Sequence, residues 1–175
     1  MPEIVYYVAA SVDGYIASAD GGVDWLSPFE GDDDYGYGYA EFLAGVDAIL
    51  LGRTTYEQIL TFGDWPYVGK TSWVLSHHAL PDIAERVTVT ADTPSGVAAM
   101  LDAAGVNRAW LVGGGELAGS FARKGLITSY IISVMPVMLG DGIRLLGRQG
   151  APGHLVLEST TRMGKVVQSA YRVAR

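Results

Sequence analysis

Three consecutive glycines, Gly113-Gly114-Gly115, follow an apolar run, Ala109–Val112, and precede a helix-like segment, Glu116–Lys124. Glycines at such a junction let the backbone approach a ligand closely, and the free N–H groups of the helix start suit a phosphate. The same residues also suit a plain tight turn. Gly113, Gly115 and Ala118 satisfy a loose G-x-G-x-x-A dinucleotide fingerprint. Two features argue against the usual doubly wound architecture: no acid stands about 20 residues on, and too little chain follows.

A second phosphate-like junction is Gly52-Arg53-Thr54-Thr55, after the apolar run Asp47–Leu51. Arg53 brings a fixed charge and forked donors next to a helix start, which Thr54 would cap. Ser76-His77-His78 ends another short run. Neighbouring histidines point to opposite sides of an extended chain, so they make a poor metal pair, and no metal is expected. Ser76 or His77 touching a nucleotide phosphate is the better use. The stretch Gly63–Thr71 imitates a P-loop, but its glycine spacing is one residue too long and it follows a helix instead of preceding one.

Carboxylates gather early, at Asp13, Asp24 and Asp32–Asp34. One of them held in a cleft would serve as a general acid, and the residues alone do not choose which. No G-x-S-x-G elbow and no cysteine occur, which removes that hydrolase class, thiol nucleophiles and cysteine-bound zinc. A formal charge of −7 repels phosphate backbones, so nucleic acid is not an expected partner. The longest apolar stretch, around Leu126–Leu139, contains Pro136 and is too short to cross a bilayer. The N-terminus lacks a basic region before its apolar run. A soluble, cytoplasmic protein with no membrane partner is the expectation.

The elements that must hold these residues follow from apolar patterning. Ile4–Ala10, Asp47–Leu51, Trp73–Ser76, Val87–Thr90, Ala109–Val112 and Ile127–Met135 have the length and apolar character of strands. Tyr35–Leu43, Thr54–Leu60, Pro94–Ala104 and Glu116–Lys124 read as helices, the last two closed by Gly105 and Gly125. Ser11–Asp34 reads as one long loop of the kind that is usually functional or mobile. His154–Thr161 and Val166–Val173 read as an antiparallel pair around Met163-Gly164. The sum is one α/β domain over residues 1–175, with a mostly parallel centre and an antiparallel C-terminal edge.

In order, the segments AASVDGYIA (9–17), Asp24-Trp25, DAILLGRTTYE (47–57), WVLS (73–76), WLVGGGELAGSFARKGLI (110–127) and PVMLGDGIRLL (136–146) resemble the dihydrofolate reductase superfamily. The resemblance covers nearly the whole chain. It is strongest to the reductase domain of the bifunctional riboflavin-biosynthesis deaminase–reductase and its stand-alone relatives. It implies a three-layer dihydrofolate-reductase-like fold, with a central mixed sheet, flanking helices and an antiparallel C-terminal hairpin. It also implies an NADPH cofactor lying extended along the strand ends. Carried over by position, Ala9, Ala10, Ile16 and Ala17 would border the nicotinamide. Gly52, Arg53, Thr54 and Thr55 would hold the pyrophosphate and adenosine side, with Arg53 at the 2′-phosphate and Ser76 and His77 beside it. Gly113, Gly114, Gly115, Glu116 and Leu117 would pass under the pyrophosphate and ribose.

The implied activity is hydride transfer from NADPH to a C=N or C=O bond of a small, heterocyclic or planar substrate. Asp13 and Asp24 are the candidates for proton supply or substrate orientation, with Trp25 and Tyr35 as substrate walls and Ser11–Asp34 as a lid. Two departures bear on the substrate. The residues after Trp25, LSPFEGDDDYGYGY, do not form a clean amphipathic helix, although Glu30 and Asp32 are near the position where folate-reducing members carry an acid. No basic cluster stands ready for a ribose phosphate. Alternatives are a true folate or riboflavin-pathway reductase, and a non-catalytic NADPH-binding module. The C-terminal hairpin and Ile127–Met135 are the candidate surface for a homodimer.

Overall fold

The continuous apolar run near the N-terminus forms β1 (Glu3–Ser11) at the heart of the sheet, with Ile4, Val5 and Tyr6 essentially inaccessible. The computed structural model describes residues 1–29, 38–80, 84–148 and 152–174. After β1 come β2 (Tyr15–Ala17), a 3₁₀ turn (Asp24–Phe29), α1 (Tyr39–Ala44), β3 (Ala48–Gly52) and α2 (Arg53–Thr61). Then follow β4 (Thr71–Leu75), β5 (Val87–Thr90), α3 (Pro94–Ala103), β6 (Arg108–Gly113) and α4 (Gly115–Arg123). The chain ends with β7 (Ser129–Met135), β8 (Ile143–Arg144), β9 (Leu155–Met163) and β10 (Val166–Val173).

Eight strands form one sheet in the order β5-β4-β3-β6-β1-β7-β10-β9. The first six are parallel and the last two antiparallel. The small pair β2·β8 is antiparallel. This is the dihydrofolate-reductase-like three-layer arrangement. Side chains alternate along each strand, so the two faces carry separate cores. Ile4, Tyr6, Leu50 and Leu111 pack against Val97 and Leu101 of α3 and Phe121 of α4. Val5, Ile49, Leu51 and Trp110 pack against Phe42 of α1 and Tyr56 of α2. Full burial of each such side chain contributes about 1.5–3 kcal/mol. Asp47 fastens the start of β3 to β6, its Oδ2 accepting the backbone N–H groups of Asn107 and Arg108 at 2.9 and 3.0 Å. Among the described residues no helix is long and apolar enough to cross a membrane.

Several boundaries differ from the sequence reading. The expected loop Ser11–Asp34 contains β2 and the 3₁₀ turn. Three residues are too few to show a period, and the partner of β2 lies more than a hundred residues away in β8. The helix expected at Tyr35–Leu43 begins at Tyr39, after Gly38 in a left-handed conformation (φ 72°); Tyr35 itself lies outside the described residues, as do Asp32–Asp34. Helix α2 starts at Arg53 with Gly52 as its N-cap, so Thr54 is inside the helix and is not its cap. The β3 strand runs one residue further than apolar patterning shows, because Gly52 still pairs with Leu75 of β4.

Candidate functional site

Two helix starts meet at the C-terminal edge of the parallel strands. Helix α2 leaves β3 through Gly52, and α4 leaves β6 through Gly113-Gly114. Neither N-cap glycine offers a side-chain hydrogen bond, whereas α3 is capped by Thr93, whose hydroxyl accepts the Gly96 N–H. The first N–H groups of a helix have no partner within it. Here two uncapped sets line one cleft of about 340 Å³, whose wall includes Gly52, Arg53, Thr55, Gly113, Gly114 and Gly115.

The glycines keep that wall thin. A Cβ on Gly114 would stand 3.5 Å from Thr55 Oγ1, and one on Gly52 would stand 3.8 Å from Gly114 N. Gly113 takes φ 146°, which side chains disfavour, and the Gly113–Gly114 peptide is cis. Gly115 has a different reason. A Cβ there would run into the carbonyl oxygen of Arg144, because the segment around β8 passes directly beneath the start of α4. The same segment closes the other end of the cleft. Ile143 lines it opposite Ile16 and Ala17 of β2.

The cleft continues in both directions. Gly52, Glu116 and Leu117 are shared with a second hollow of about 390 Å³, where Ser76, His77 and Thr93 stand. At the other end Val8 is shared with a third hollow of about 290 Å³, lined by Tyr7, Ala9, Tyr39, Trp110, Ser133 and Met135. The central cleft thus shares lining residues with a hollow on either side.

The charged residues near this groove are mostly engaged. Arg53 Nε donates to Glu57 Oε1 at 2.8 Å, one helical turn on. Glu116 Oε1 accepts the Arg148 N–H at 3.1 Å. Ser76 Oγ accepts the His78 N–H at 3.0 Å and donates to the His78 carbonyl at 2.7 Å, closing a turn that presents His77 outward. Asp13 is not in the groove lining. Its carboxylate accepts the N–H groups of Leu139 and Gly140 at 3.1 and 2.7 Å. The Ser11 hydroxyl and these backbone donors hold its pKa down at about 2.

Comparison with known proteins now has a site to refer to. Residues 67–169, more than half of the chain, match the model of the RibD C-terminal domain. The chain belongs to the RibD C-terminal domain family. The uncharacterized Bacillus subtilis protein YwjB is 37% identical over 168 residues, covering 95% of both chains. A second Bacillus subtilis relative, YyaP, is 28% identical over 150 residues. The crystal structure of a Shewanella sp. PV-4 protein named for riboflavin biosynthesis superposes with a TM-score of 0.89, 28% identity and 99% coverage of each chain. The Thermotoga maritima diaminohydroxyphosphoribosylaminopyrimidine deaminase/5-amino-6-(5-phosphoribosylamino)uracil reductase shares the fold, with a TM-score of 0.76 at 13% identity. There the chain covers only 57% of the longer bifunctional protein.

Within this RibD C-terminal domain fold, most residues singled out from sequence come together. Ile16, Ala17, Gly52, Arg53, Thr54, Thr55, Gly113, Gly114, Gly115, Glu116 and Leu117 all line the central cleft, and Ser76 and His77 line its extension. Ala9 lines the third hollow, while Ala10 is buried in β1. Trp25 is half-buried in a small cluster with Met135 and Ala9, behind the third hollow, and its Nε1 has no partner among the described residues. Asp24 is exposed at the start of the 3₁₀ turn. Sequence reasoning missed Tyr7, Tyr39, Trp110, Ser133 and Met135. The alternation Tyr7, Ala9 along β1 carried the signal, but nothing local said which face of the sheet was open. Among the described residues no three His, Cys, Asp or Glu side chains cluster in a way that would hold a metal.

Proposed function

We propose that this protein is an NADPH-dependent reductase that transfers hydride to a C=N or C=O bond of a small planar substrate. The carrying observation is the pair of uncapped helix starts, at Arg53 and Gly115, facing one cleft. Two such starts supply several N–H donors and two positive dipole ends, which suits a dianionic pyrophosphate. The residues present fit the cofactor. The glycine backbone lies open to the cleft, and Arg53 stands at its rim for a 2′-phosphate. The hollow beside Ser76 and His77 takes the adenosine end. Ile16, Ala17 and Val8 surround the place for the nicotinamide, next to the third hollow, which is the space for substrate. Family membership supports the reading, since the RibD reductase domain is an oxidoreductase of this kind.

The reduced nicotinamide supplies the hydride when bound, and one proton completes the reduction. The chain's own work is to bind, orient and exclude water. Of the two early carboxyl groups, Asp24 is exposed and is the candidate for proton supply, whereas Asp13 is held as a carboxylate by its donors and serves to position the loop. The segment from Ser11 to Phe29 acts as a lid. It is tied down by β2·β8 and by Gln58 Nε2, which donates to the Gly21 carbonyl at 2.8 Å, and Gly21 and Val23 line the cleft.

The assembly belongs to the same reading. Strand β9 is the outer edge of the sheet and exposes Leu155, Val156 and Leu157 at 45%, 41% and 57%. The apolar start of this edge strand, Leu155–Leu157, suits cover by a second copy of the chain.

Titration with NADPH tests the function, followed by loss of its near-ultraviolet absorbance over a panel of quinones, imines and pterins. Micromolar binding and turnover of at least one member are expected. Tight binding with no turnover on any member would favour a binding module, and no binding would end the proposal.

A further inference from the structure

The central cleft lies inside a ring of chain. On one side the β2·β8 ladder joins Tyr15 to Arg144 and Ala17 to Ile143. The β8 segment is held in turn against the start of α4, where the Glu116 carboxylate accepts the Arg148 N–H and the Arg144 carbonyl meets Gly115. Helix α4 follows β6, which pairs with β3, and β3 leads into α2. From α2, Gln58 Nε2 donates to the Gly21 carbonyl at 2.8 Å, and the chain from Gly21 runs back to β2. Each part of this circuit lines the cleft: Ala17, Ile143, Gly115, Gly52, Gln58 and Gly21.

The joints of the ring differ in strength. The β8 side carries several ties besides the ladder. Tyr6 Oη donates to the Leu145 carbonyl at 2.8 Å, the Leu145 N–H donates to the Gly14 carbonyl at 3.0 Å, and Leu145 and Leu146 pack against the core. Beyond residue 23 the chain is anchored again by Trp25 and Leu26, which pack with Phe29, Met135 and Val166. Between these anchors, residues 18–23 form a strap. Its turn is tied to itself, the Ser18 N–H to the Gly22 carbonyl and the Gly21 N–H to the Ser18 carbonyl, both at 2.9 Å. The Gln58 amide fastens that turn to α2. One hydrogen bond between neutral groups contributes only about 0.5–1.5 kcal/mol, so this joint opens far more readily than a ladder backed by packed leucines.

Gln58 stands three and four residues after Thr55 and Thr54, one helical turn on and on the same face of α2, and all three line the cleft. A dinucleotide laid along the two helix starts therefore lies inside the ring, beneath the strap. We infer that Gln58 is a gate residue, whose amide clasps the strap over the cleft and sets how fast the dinucleotide enters and leaves. The inference rests on the reductase reading above and adds to it a side chain that governs cofactor exchange. An amide suits the task, because it donates to a carbonyl without bringing charge near the phosphates. A closed strap obstructs passage in both directions, and only the open fraction of the protein can load. Loosening the clasp thus speeds entry and departure together, whereas loss of a side chain that merely touches the cofactor speeds departure alone.

The test mixes the full-length protein with NADPH by stopped flow and follows nicotinamide fluorescence. The slope and intercept of the observed rate against NADPH concentration give the entry and departure rates. Gln58→Met keeps the length of the side chain and removes the donor. It should raise both rates about three- to tenfold, the scale of one hydrogen bond, with the dissociation constant moving less than either rate. In the cofactor-free protein, hydrogen exchange over residues 15–23 should quicken, while exchange in α2 and the melting temperature stay close to those of the parent. Faster departure with unchanged or slower entry would assign Gln58 to direct contact with the dinucleotide and overturn the gate. Both rates unmoved, or exchange in the strap unmoved, would overturn it as well. Failure of NADPH to bind the parent protein would instead overturn the reductase reading beneath the inference.

Discussion

The carboxylate of Asp13 accepts the backbone N–H of Gly140 at 2.7 Å, joining the turn after β1 to the segment after β7 across 127 positions of sequence. With the Leu139 N–H at 3.1 Å and the Ser11 hydroxyl, this bond makes Asp13 a clamp between the segments that lead into β2 and β8 at one end of the cleft. Its pKa is held at about 2, below the ordinary 3.8. A depressed pKa contributes stability that is present above the unfolded value and disappears as pH falls through the folded one. Asp13→Asn should therefore lower the melting temperature at neutral pH. The difference from the parent should shrink between pH about 4 and about 2, as melting curves across that range would show. A constant difference down to pH 2 would remove the clamp.

Arg53 at the rim of the cleft should discriminate between the two reduced nicotinamide dinucleotides. Arg53→Ala should weaken NADPH about tenfold to a hundredfold and leave NADH nearly unchanged, the scale of a hydrogen bond to a charged group. Parallel titrations of both dinucleotides measure this. An equal loss for both would show that Arg53 holds the helix through Glu57 and does not read the 2′-phosphate.

Gly115 touches the carbonyl of Arg144 closely enough that no side chain fits. Gly115→Ala should cost about 1–3 kcal/mol by overpacking, seen as an earlier denaturation midpoint. Thr55→Ala, whose hydroxyl faces the Gly114 backbone in the cleft, should leave the midpoint nearly unchanged and reduce NADPH affinity. The pair separates glycine needed for packing from a hydroxyl placed for binding.

The exposed β9 edge should place the protein in a dimer. Sedimentation velocity should show a two-chain species for the parent. Leu157→Asp, at a residue 57% exposed, should shift it to the monomer without loss of helix or strand signal. A monomeric parent at all concentrations would leave the β9 edge without a second copy.

Much of the candidate groove was legible in the chain because its parts are local. Gly52-Arg53-Thr54-Thr55 and Gly113-Gly114-Gly115 each sit where an apolar strand becomes a helix, and strand, turn and helix start are all short-range patterns. What the sequence left open is long-range. Only the order β3-β6-β1 brings the two helix starts to the same cleft, and only the close pass of the Arg144 segment explains Gly115. Asp13 reads as a free acid in sequence because the donors that hold it are backbone groups with no residue type to announce them. Tyr7, Ser133 and Gln168 come from three strands that pair only in the folded sheet, so their shared polar wall is decided by β-register, which no local spacing encodes.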